Sequence, residues 1–251
     1  MKKLILLWSL LAMISCDSED SGDCFQKAGE IVTKEVEVSG FHEIQVYDKI
    51  KLFIEQGSEE KVVIESGENL MNEITAEVVD GRLILKNENV CNLFRDYGIT
   101  KIYVTFTDLD YLEHAGNIPL ESVGKITLDE LWLVSENQEM DPEIHTVGDF
   151  ILNLEVDRLR ITNDNYSNYF LTGSANTVNA FFAAGDGRLE GRDFIVQDYD
   201  IFHRGTNKLI INPQQSLKGD IYSYGDIVSV NRPPEVNVKE HFKGKLIFET
   251  N

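Results

Sequence analysis

The chain has 251 residues, of which 42% are hydrophobic, and it carries 43 acidic and 23 basic side chains for a formal net charge of −20. This apolar content excludes intrinsic disorder, and the length is sufficient for one sizeable core. A surface with so much negative charge would repel a polyanion, which argues strongly against nucleic acid as a partner. Three cysteines are too few for a disulfide-dense scaffold or a cysteine-rich zinc module.

The first 15 residues have the order of a secretory signal peptide. Two lysines precede an apolar run from Leu4 to Met13, which is too short to span a bilayer. A buried N-terminal strand or helix is the alternative. Residues 13–16, Met-Ile-Ser-Cys, resemble the lipobox of bacterial lipoproteins, in which a small residue precedes a lipid-modified cysteine. We therefore expect export and lipid attachment at Cys16, with acyl chains that anchor the protein to the membrane.

An acidic stretch follows the expected lipid site. Residues 17–23 include four acidic side chains and no apolar one, a composition that predicts a solvated tether. We assign the tether to residues 16–27 and a single domain to residues 28–251. An acidic stretch in this position also resembles the surface-export signal of some Gram-negative lipoproteins. The expected location is therefore the outer membrane, with the domain on its cell-surface or periplasmic side.

Two cysteines remain once Cys16 is assigned to lipid. In an oxidising compartment Cys24 and Cys91 are expected to pair as a disulfide. The bond would tie the start of the domain to the loop after Lys86. Two separate buried thiols are the alternative.

Along the domain the hydrophobic period is two, which predicts strands. Asp80-Gly81 predicts a hairpin turn between two of them, and one short helical turn fits residues 69–73. Since no amphipathic helix of three turns is present, the fold class is all-β: a sandwich, a barrel or a β-helix. The expected early strands are residues 36–38, 44–46, 50–54, 62–64, 74–79, 83–85 and 102–106.

A glycine period appears in the second half of the chain. Gly185, Gly205, Gly225 and Gly244 are separated by 20, 20 and 19 residues, an interval typical of a stacked solenoid. In such a fold each coil contributes inward-facing apolar residues, and we expect the glycines to supply positive φ angles at the corners. Ordinary hairpin turns in a sandwich are the alternative.

Several segments resemble one known family. Residues 41–44, 51–57 and 62–70 look like the start of the head GIN domain, an autotransporter-adhesin-like family that is frequent among Gram-negative lipoproteins. The resemblance continues through the short segments listed below and covers about residues 28–248. It implies a single-stranded, right-handed parallel β-helix, and it implies adhesion without supplying a ligand or a catalytic residue. From the strand pattern we expect this β-helix to open with hairpin-like strands. The further segments are 79–85, 89–92, 101–104, 217–221 and 224–227.

Residues 135–142 depart from the family pattern, and we interpret them as a loop insertion.

Three groups of polar residues are candidates for a metal site or a catalytic site. The five histidines lie far apart and form no metal motif, although residues one coil apart could stack; we predict no metal and no cofactor. An acidic cluster could serve a polysaccharide-cleaving enzyme, but a solvated face is the favoured interpretation. A third group suggests a loose calcium site or, more simply, turn residues. The groups are His42, His114, His145, His203 and His241; Asp193, Asp198, Asp200, His203 and Arg204; and Asp157, Asn163, Asp164, Asn165 and Asn168.

Aromatic residues cluster in the C-terminal half. Alternation in Tyr222-Ser223-Tyr224 places both tyrosine rings on one face, and tyrosine is common at interfaces and sugar-binding platforms. We therefore predict Tyr222 and Tyr224 as part of a binding face.

The function expected from these features is a non-enzymatic cell-envelope interaction module with no catalytic residue. Its solenoid would present an extended face to carbohydrate or protein. The alternatives are a carbohydrate-active enzyme, a polysaccharide lyase or hydrolase, on the same scaffold, and a purely structural envelope protein.

Overall fold

The computed structural model describes residues 27–89, 98–137 and 139–249. Within these ranges sixteen strands form one continuous sheet, and the single helix is a short 3₁₀ helix at Glu68–Glu73. The all-β class is therefore confirmed, as is the helical turn near residue 70. The strands are β1 (Ile31–Val36), β2 (Glu43–Val46), β3 (Lys51–Gln56), β4 (Lys61–Gly67), β5 (Ile74–Val79), β6 (Arg82–Asn87), β7 (Lys101–Phe106), β8 (Tyr111–His114), β9 (Leu120–Ser135), β10 (Phe150–Asn163), β11 (Tyr169–Phe182), β12 (Leu189–His203), β13 (Leu209–Ile221), β14 (Ile227–Ser229), β15 (Glu235–Glu240) and β16 (Leu246–Phe248).

The first eight strands mix antiparallel and parallel pairing. β5 and β6 form the predicted hairpin around Asp80 and Gly81, whose φ angles of 51° and 84° suit a tight turn. β4 is antiparallel to both β1 and β7. β2, by contrast, lies parallel to β6 and β8, and β3 lies parallel to β7 and β9. Parallel pairing therefore begins near the start of the domain, earlier than a hairpin-like opening would suggest.

The longer strands form a parallel ladder. β9 to β13 pair in chain order, each parallel to the one before it, and the two halves of β13 then pair with β14 and β15. β16 completes the order against β14. The face-to-face antiparallel layers of a sandwich, which the sequence left open, do not occur in the described ranges.

The core consists of stacked columns of apolar side chains, and each long strand contributes several residues to it. Leu131, Leu159, Val178, Tyr199 and Leu217 are all buried and occupy equivalent positions in successive strands. Residues on either side of each point outwards, as a period of two requires. Burying each such side chain contributes about 1.5–3 kcal/mol, so the regular alternation both forms the strands and stacks them.

The regularly spaced glycines lie in stacked turns. The backbone N–H of Gly225 donates to the carbonyl of Gly205 at 3.2 Å. A Cβ at Gly225 would lie 2.1 Å from the carbonyl oxygen of Asn207, and one at Gly244 would lie 2.2 Å from that of Gly225. Of the four periodic glycines, Gly185 has a positive φ, at 79°. Positive φ therefore does not explain the other three. Gly225 and Gly244 are required because the backbones of neighbouring turns approach closely, whereas the nearest backbone atom to a Cβ at Gly205 would lie at 3.4 Å, an ordinary contact.

The predicted loop lies between β9, which ends at Ser135, and β10, which begins at Phe150; its interpretation as an insertion relative to the family stays a prediction. The predicted signal peptide, the lipid site Cys16 and the paired Cys24 and Cys91 lie outside the described residues and stay predictions. No helix in the described part of the chain has the length and apolar character needed to cross a membrane.

Candidate functional site

A groove of about 880 Å³ crosses the outer face of β9 to β13. Its floor is formed by outward-facing side chains at every second position, which stack into columns because the strands are parallel and in register. The groove is therefore lined by two polar columns that run across the strands. The first column is Glu130, Arg158, Thr177, Asp198 and Ser216, and the second is Trp132, Arg160, Asn179, Asp200 and Lys218.

One end of the groove is built from alternating aromatic and cationic groups. The guanidinium carbon of Arg160 lies 4.1 Å from the centroid of the Trp132 ring, and that of Arg82 lies 4.6 Å from the centroid of Tyr111. Tyr111 meets Trp132 edge-to-face at 5.3 Å. The indole Nε1–H donates to Thr162 Oγ1 at 2.9 Å, which fixes the orientation of the ring. Four side chains from four strands thus hold one another in place.

A nearly buried carboxylate supports this end of the groove. Glu113 accepts a hydrogen bond from the Tyr111 hydroxyl at 3.0 Å and lies 3.5 Å from Arg82, which also donates to Glu43 at 2.7 Å. Burial, and then the negative charge of Glu113, raise the pKa of Tyr111 well above its ordinary value. The phenol therefore stays protonated and remains a donor at neutral pH.

The two columns differ in how many of their side chains already form hydrogen bonds or ion pairs within the protein. In the first, Arg158 pairs with Glu130, and Asp198 accepts a hydrogen bond from Ser216 at 2.5 Å. In the second, Arg160, Asn179, Asp200 and Lys218 form no side-chain hydrogen bond or ion pair with any residue that the structure describes, and all four are exposed. The second column therefore presents donors and acceptors to whatever enters the groove.

The acidic cluster predicted for an enzyme is only partly assembled. Asp198 and Asp200 lie in the groove, but Asp193 lines a separate hollow beside Phe170. His203 is fully buried, with its Nε2 3.0 Å from the carbonyl of Asn207. The Nε of Arg204 donates to the carbonyl of Ala183. The histidine therefore cannot exchange a proton with the two groove carboxylates.

The histidines form two kinds of site. His114 and His203 are buried beneath turns, and the imidazole of His114 lies between the carbonyl of Ile118 at 2.9 Å and the N–H of Gly116 at 3.2 Å. Burial lowers the pKa of His114 to about 4 and also lowers that of His203. The other three are exposed and pair with carboxylates: His42 with Asp110, His145 with Asp48, and His241 with Asp220.

One trio could present three ligand atoms to a metal. His42, Glu43 and Asp110 have ligand atoms within 4.8 Å of one another, the sole such group among the described residues. Arg82 already binds Glu43, so an ion-pair network accounts for the cluster without a metal.

Several polar groups of the asparagine- and aspartate-rich segment bind other groups of the protein. Asp157 accepts from Asn176, the backbone N–H of Asn137 donates to Asp164, and Asn168 donates to Asp149. These contacts hold turns and neighbouring strands together, which is the simpler of the two roles expected from the sequence.

Tyr222 and Tyr224 are both exposed, at 41% and 56%, but they lie just beyond β13 and do not line the groove. The ring of Tyr222 stacks on His241 at 4.2 Å and leans against Phe202 at 5.0 Å. Tyr224 packs edge-on against Phe242 at 5.1 Å. Their rings therefore belong to a separate exposed aromatic surface, and their part in binding stays a prediction.

Sequence reasoning missed the groove residues Arg82, Tyr111, Trp132 and Arg160. The alternation of Trp132 with buried neighbours marks it as outward-facing. Its proximity to Arg160, however, depends on the register of two strands joined by a long loop.

The protein resembles several solved structures, all at identities that inform on the fold alone. A "putative adhesin" from Bacteroides fragilis NCTC 9343 shares 17% identity with a TM-score of 0.79, over 89% of this chain and 99% of that one. Two proteins of Parabacteroides distasonis ATCC 8503 are also similar. One, described as a "putative adhesin", shares 16% identity with a TM-score of 0.62, covering 89% of this chain and 99% of its own. The other, described as a "putative lipid binding protein", shares 15% with a TM-score of 0.61, covering 87% and 97%.

No curated protein matches the sequence. Residues 40–233 match the family described as "Putative auto-transporter adhesin, head GIN domain". That description and those of the similar structures name adhesins or a lipid-binding protein rather than enzymes. Because the match spans more than half of the sequence and agrees with the fold, the chain belongs to the head GIN domain family.

Proposed function

We propose that the protein is a non-enzymatic, lipid-anchored cell-envelope adhesin that binds a glycan or a surface protein through the outer face of its parallel sheet. The family description, with its reference to adhesion, supports this role. The observation that carries it is the second column of the groove. Four exposed polar side chains lie there on a rigid sheet, beside fixed aromatic rings, and none of them forms a side-chain hydrogen bond or ion pair with the described residues.

We infer that β9 to β16 wind as a right-handed β-helix. A parallel pair normally needs a crossover of a dozen or more residues, yet residues 164–168, 183–188 and 204–208 are the whole connections that join β10 to β11, β11 to β12 and β12 to β13. The strands themselves must therefore curve through the return path. A right-handed crossover is the strong preference of parallel pairs, which supports the hand of the coil.

The anchor is proposed at Cys16, with the membrane as the first partner. The lipobox-like residues and the acidic tether support attachment to the outer membrane. Metabolic labelling with a palmitate analogue tests this: the wild-type chain should be labelled and the Cys16→Ala variant should not. Equal labelling of the two would refute the anchor.

Binding is tested with the mature chain from residue 16, carrying Cys16→Ser so that it remains free of lipid. It is applied to a glycan array and to bacterial and host surface proteins, beside a polysaccharide-degradation assay. Binding without turnover is expected. Turnover of any polymer would overturn the non-enzymatic role, and no binding to either class would overturn the adhesin.

A polysaccharide-cleaving enzyme is the second candidate, because Asp198 and Asp200 lie side by side in the groove. Such an enzyme needs two carboxyl groups, one as the general acid and the other as the general base or nucleophile. If turnover were found, Asp198→Asn and Asp200→Asn would each abolish it in an enzyme. A contaminating activity would be indifferent to both.

A further inference from the structure

We propose that the groove binds an acidic glycan and that Arg160 receives its carboxylate. The inference rests on the proposed function, because it names the ligand class of the same groove. It goes beyond adhesion in general by assigning a residue and a chemistry that neither the family nor the similar structures supply.

The guanidinium of Arg160 is held ready for a planar anion. It stacks on the Trp132 indole at 4.1 Å, and the indole is itself fixed by its hydrogen bond to Thr162. None of its N–H groups donates to a residue that the structure describes. A guanidinium offers two parallel donors that match the two oxygens of a carboxylate. Because stacking already restricts the side chain, binding would lose less conformational entropy than at a free arginine.

The other arginines of the groove are already neutralised. Arg82 donates to Glu43 at 2.7 Å, and Arg158 pairs with Glu130. In a chain with a net charge of −20, an anion has few favourable places to bind. Arg160 is one of these places, since it keeps an accessible positive charge in a concave site.

The neighbours of Arg160 favour a sugar acid over an acidic peptide. Asn179 and Asp200 follow it in the same column, each about 4.8 Å further along the stack, and Lys218 comes next. A carboxylate at Asp200 can only accept hydrogen bonds. It would therefore repel a carboxylate of the ligand and accept a hydrogen bond from a ligand hydroxyl. A glycan that carries a carboxylate and adjacent hydroxyls can pair with Arg160 and donate to Asp200. A polyacidic peptide could pair with Arg160, but its further carboxylates would be repelled by Asp200.

The test uses titration calorimetry with a panel of oligouronates of different stereochemistry, each paired with its methyl ester. The ester keeps the sugar chain and removes the charge, so it isolates the carboxylate. The mature Cys16→Ser chain should bind at least one acid form ten-fold or more tighter than its ester. Arg160→Gln should lose at least ten-fold in affinity, and Arg160→Lys should recover part of the loss. Arg232→Gln is the matched control, because Arg232 stacks on Phe248 at 4.5 Å outside the groove.

The outcomes separate this inference from the proposed function. Equal affinity for acid and ester, or an unchanged affinity in Arg160→Gln with an unchanged melting temperature, would overturn the acidic ligand while leaving an adhesin. Binding of polyglutamate through Arg160, with no oligouronate bound, would overturn the glycan class. If no oligouronate binds, and the glycan array and the surface proteins also show no binding, both proposals would be overturned.

Discussion

Acid should destabilise this fold through a buried histidine. His114 is fully buried, where its ring lies 2.9 Å from the carbonyl of Ile118 and 3.2 Å from the N–H of Gly116. A donor N–H at one side and an acceptor nitrogen at the other describe a neutral ring, and burial lowers its pKa to about 4. A proton would remove the acceptor and place a charge inside the turn.

The sign and size of the effect follow from proton linkage. Between about pH 6.5 and pH 4 the unfolded chain binds a proton at His114 that the folded chain does not, so the free energy of unfolding falls as the pH falls. The difference between the unfolded pKa of 6.5 and the folded pKa of about 4 corresponds to about 3 kcal/mol of unfolding free energy, which is lost by the time the pH reaches about 4. About one pH unit above 6.5 and higher, the histidine contributes little pH dependence. His203, whose pKa is lowered in the same direction, adds to the loss.

Urea unfolding between pH 7.5 and pH 4.5, followed by tryptophan fluorescence, measures the effect. The wild-type chain should lose stability across this range, and His114→Gln should show a shallower dependence. The matched control is His145→Gln, since that histidine is exposed and pairs with Asp48. If His114→Gln fails to fold, the imidazole of the wild-type chain can be titrated by NMR and should stay neutral down to about pH 5. An ordinary titration near pH 6.5, or an unchanged slope in the variant, would refute the reasoning.

Three further predictions address the turns, the aromatic surface and the cysteines. Gly225→Ala should cost about 2 kcal/mol or more in urea unfolding, because its Cβ would lie 2.1 Å from a carbonyl oxygen in the adjacent turn. If Tyr222 and Tyr224 belong to the binding face, changing each to Ala should weaken ligand binding several-fold in calorimetry. If Cys24 and Cys91 are paired, the unreduced mature Cys16→Ser chain should show no free thiol under denaturing conditions. Reduction should then cost about 2–4 kcal/mol.

Each of these has its own control. Gly205→Ala should lower the free energy of unfolding less than Gly225→Ala does, because the nearest atom to the added Cβ would be a side-chain atom at 3.2 Å. Equal losses at the two positions would contradict the close-approach argument. For the tyrosines, a melting temperature that falls with affinity would indicate lost packing on His241 and Phe242 rather than lost contacts with the ligand. Two titratable thiols would show that the cysteines are separate.

Local features of the fold were predictable because they depend on local chemistry. Ile74–Val79 was expected as a strand at the bounds it has, and Asp80-Gly81 forms the hairpin that follows it. The glycine period also located the stacked turns correctly. The expected positive φ is found at Gly185 but not at Gly225 or Gly244, where close approach between turns requires glycine; that approach is a property of the stack and cannot be derived from one turn alone.

The site was harder to predict because it is assembled across strands. Trp132 and Arg160 meet through the register of β9 and β10, which a long intervening loop leaves undetermined in the sequence. Tyr222 is exposed, and its stacking on His241 depends on the following segment of the chain, which the local pattern around Tyr222 does not reveal. Asp198 and His203 are close in sequence but separate, since one faces the groove and the other the core.

A crystal structure of the mature chain with the tightest-binding oligouronate is the most direct test. We expect parallel coils, the sugar across the second column of the groove, and a carboxylate within hydrogen-bond distance of both terminal nitrogens of Arg160. A ligand seated elsewhere, with Trp132 and Arg160 untouched, would contradict this expectation.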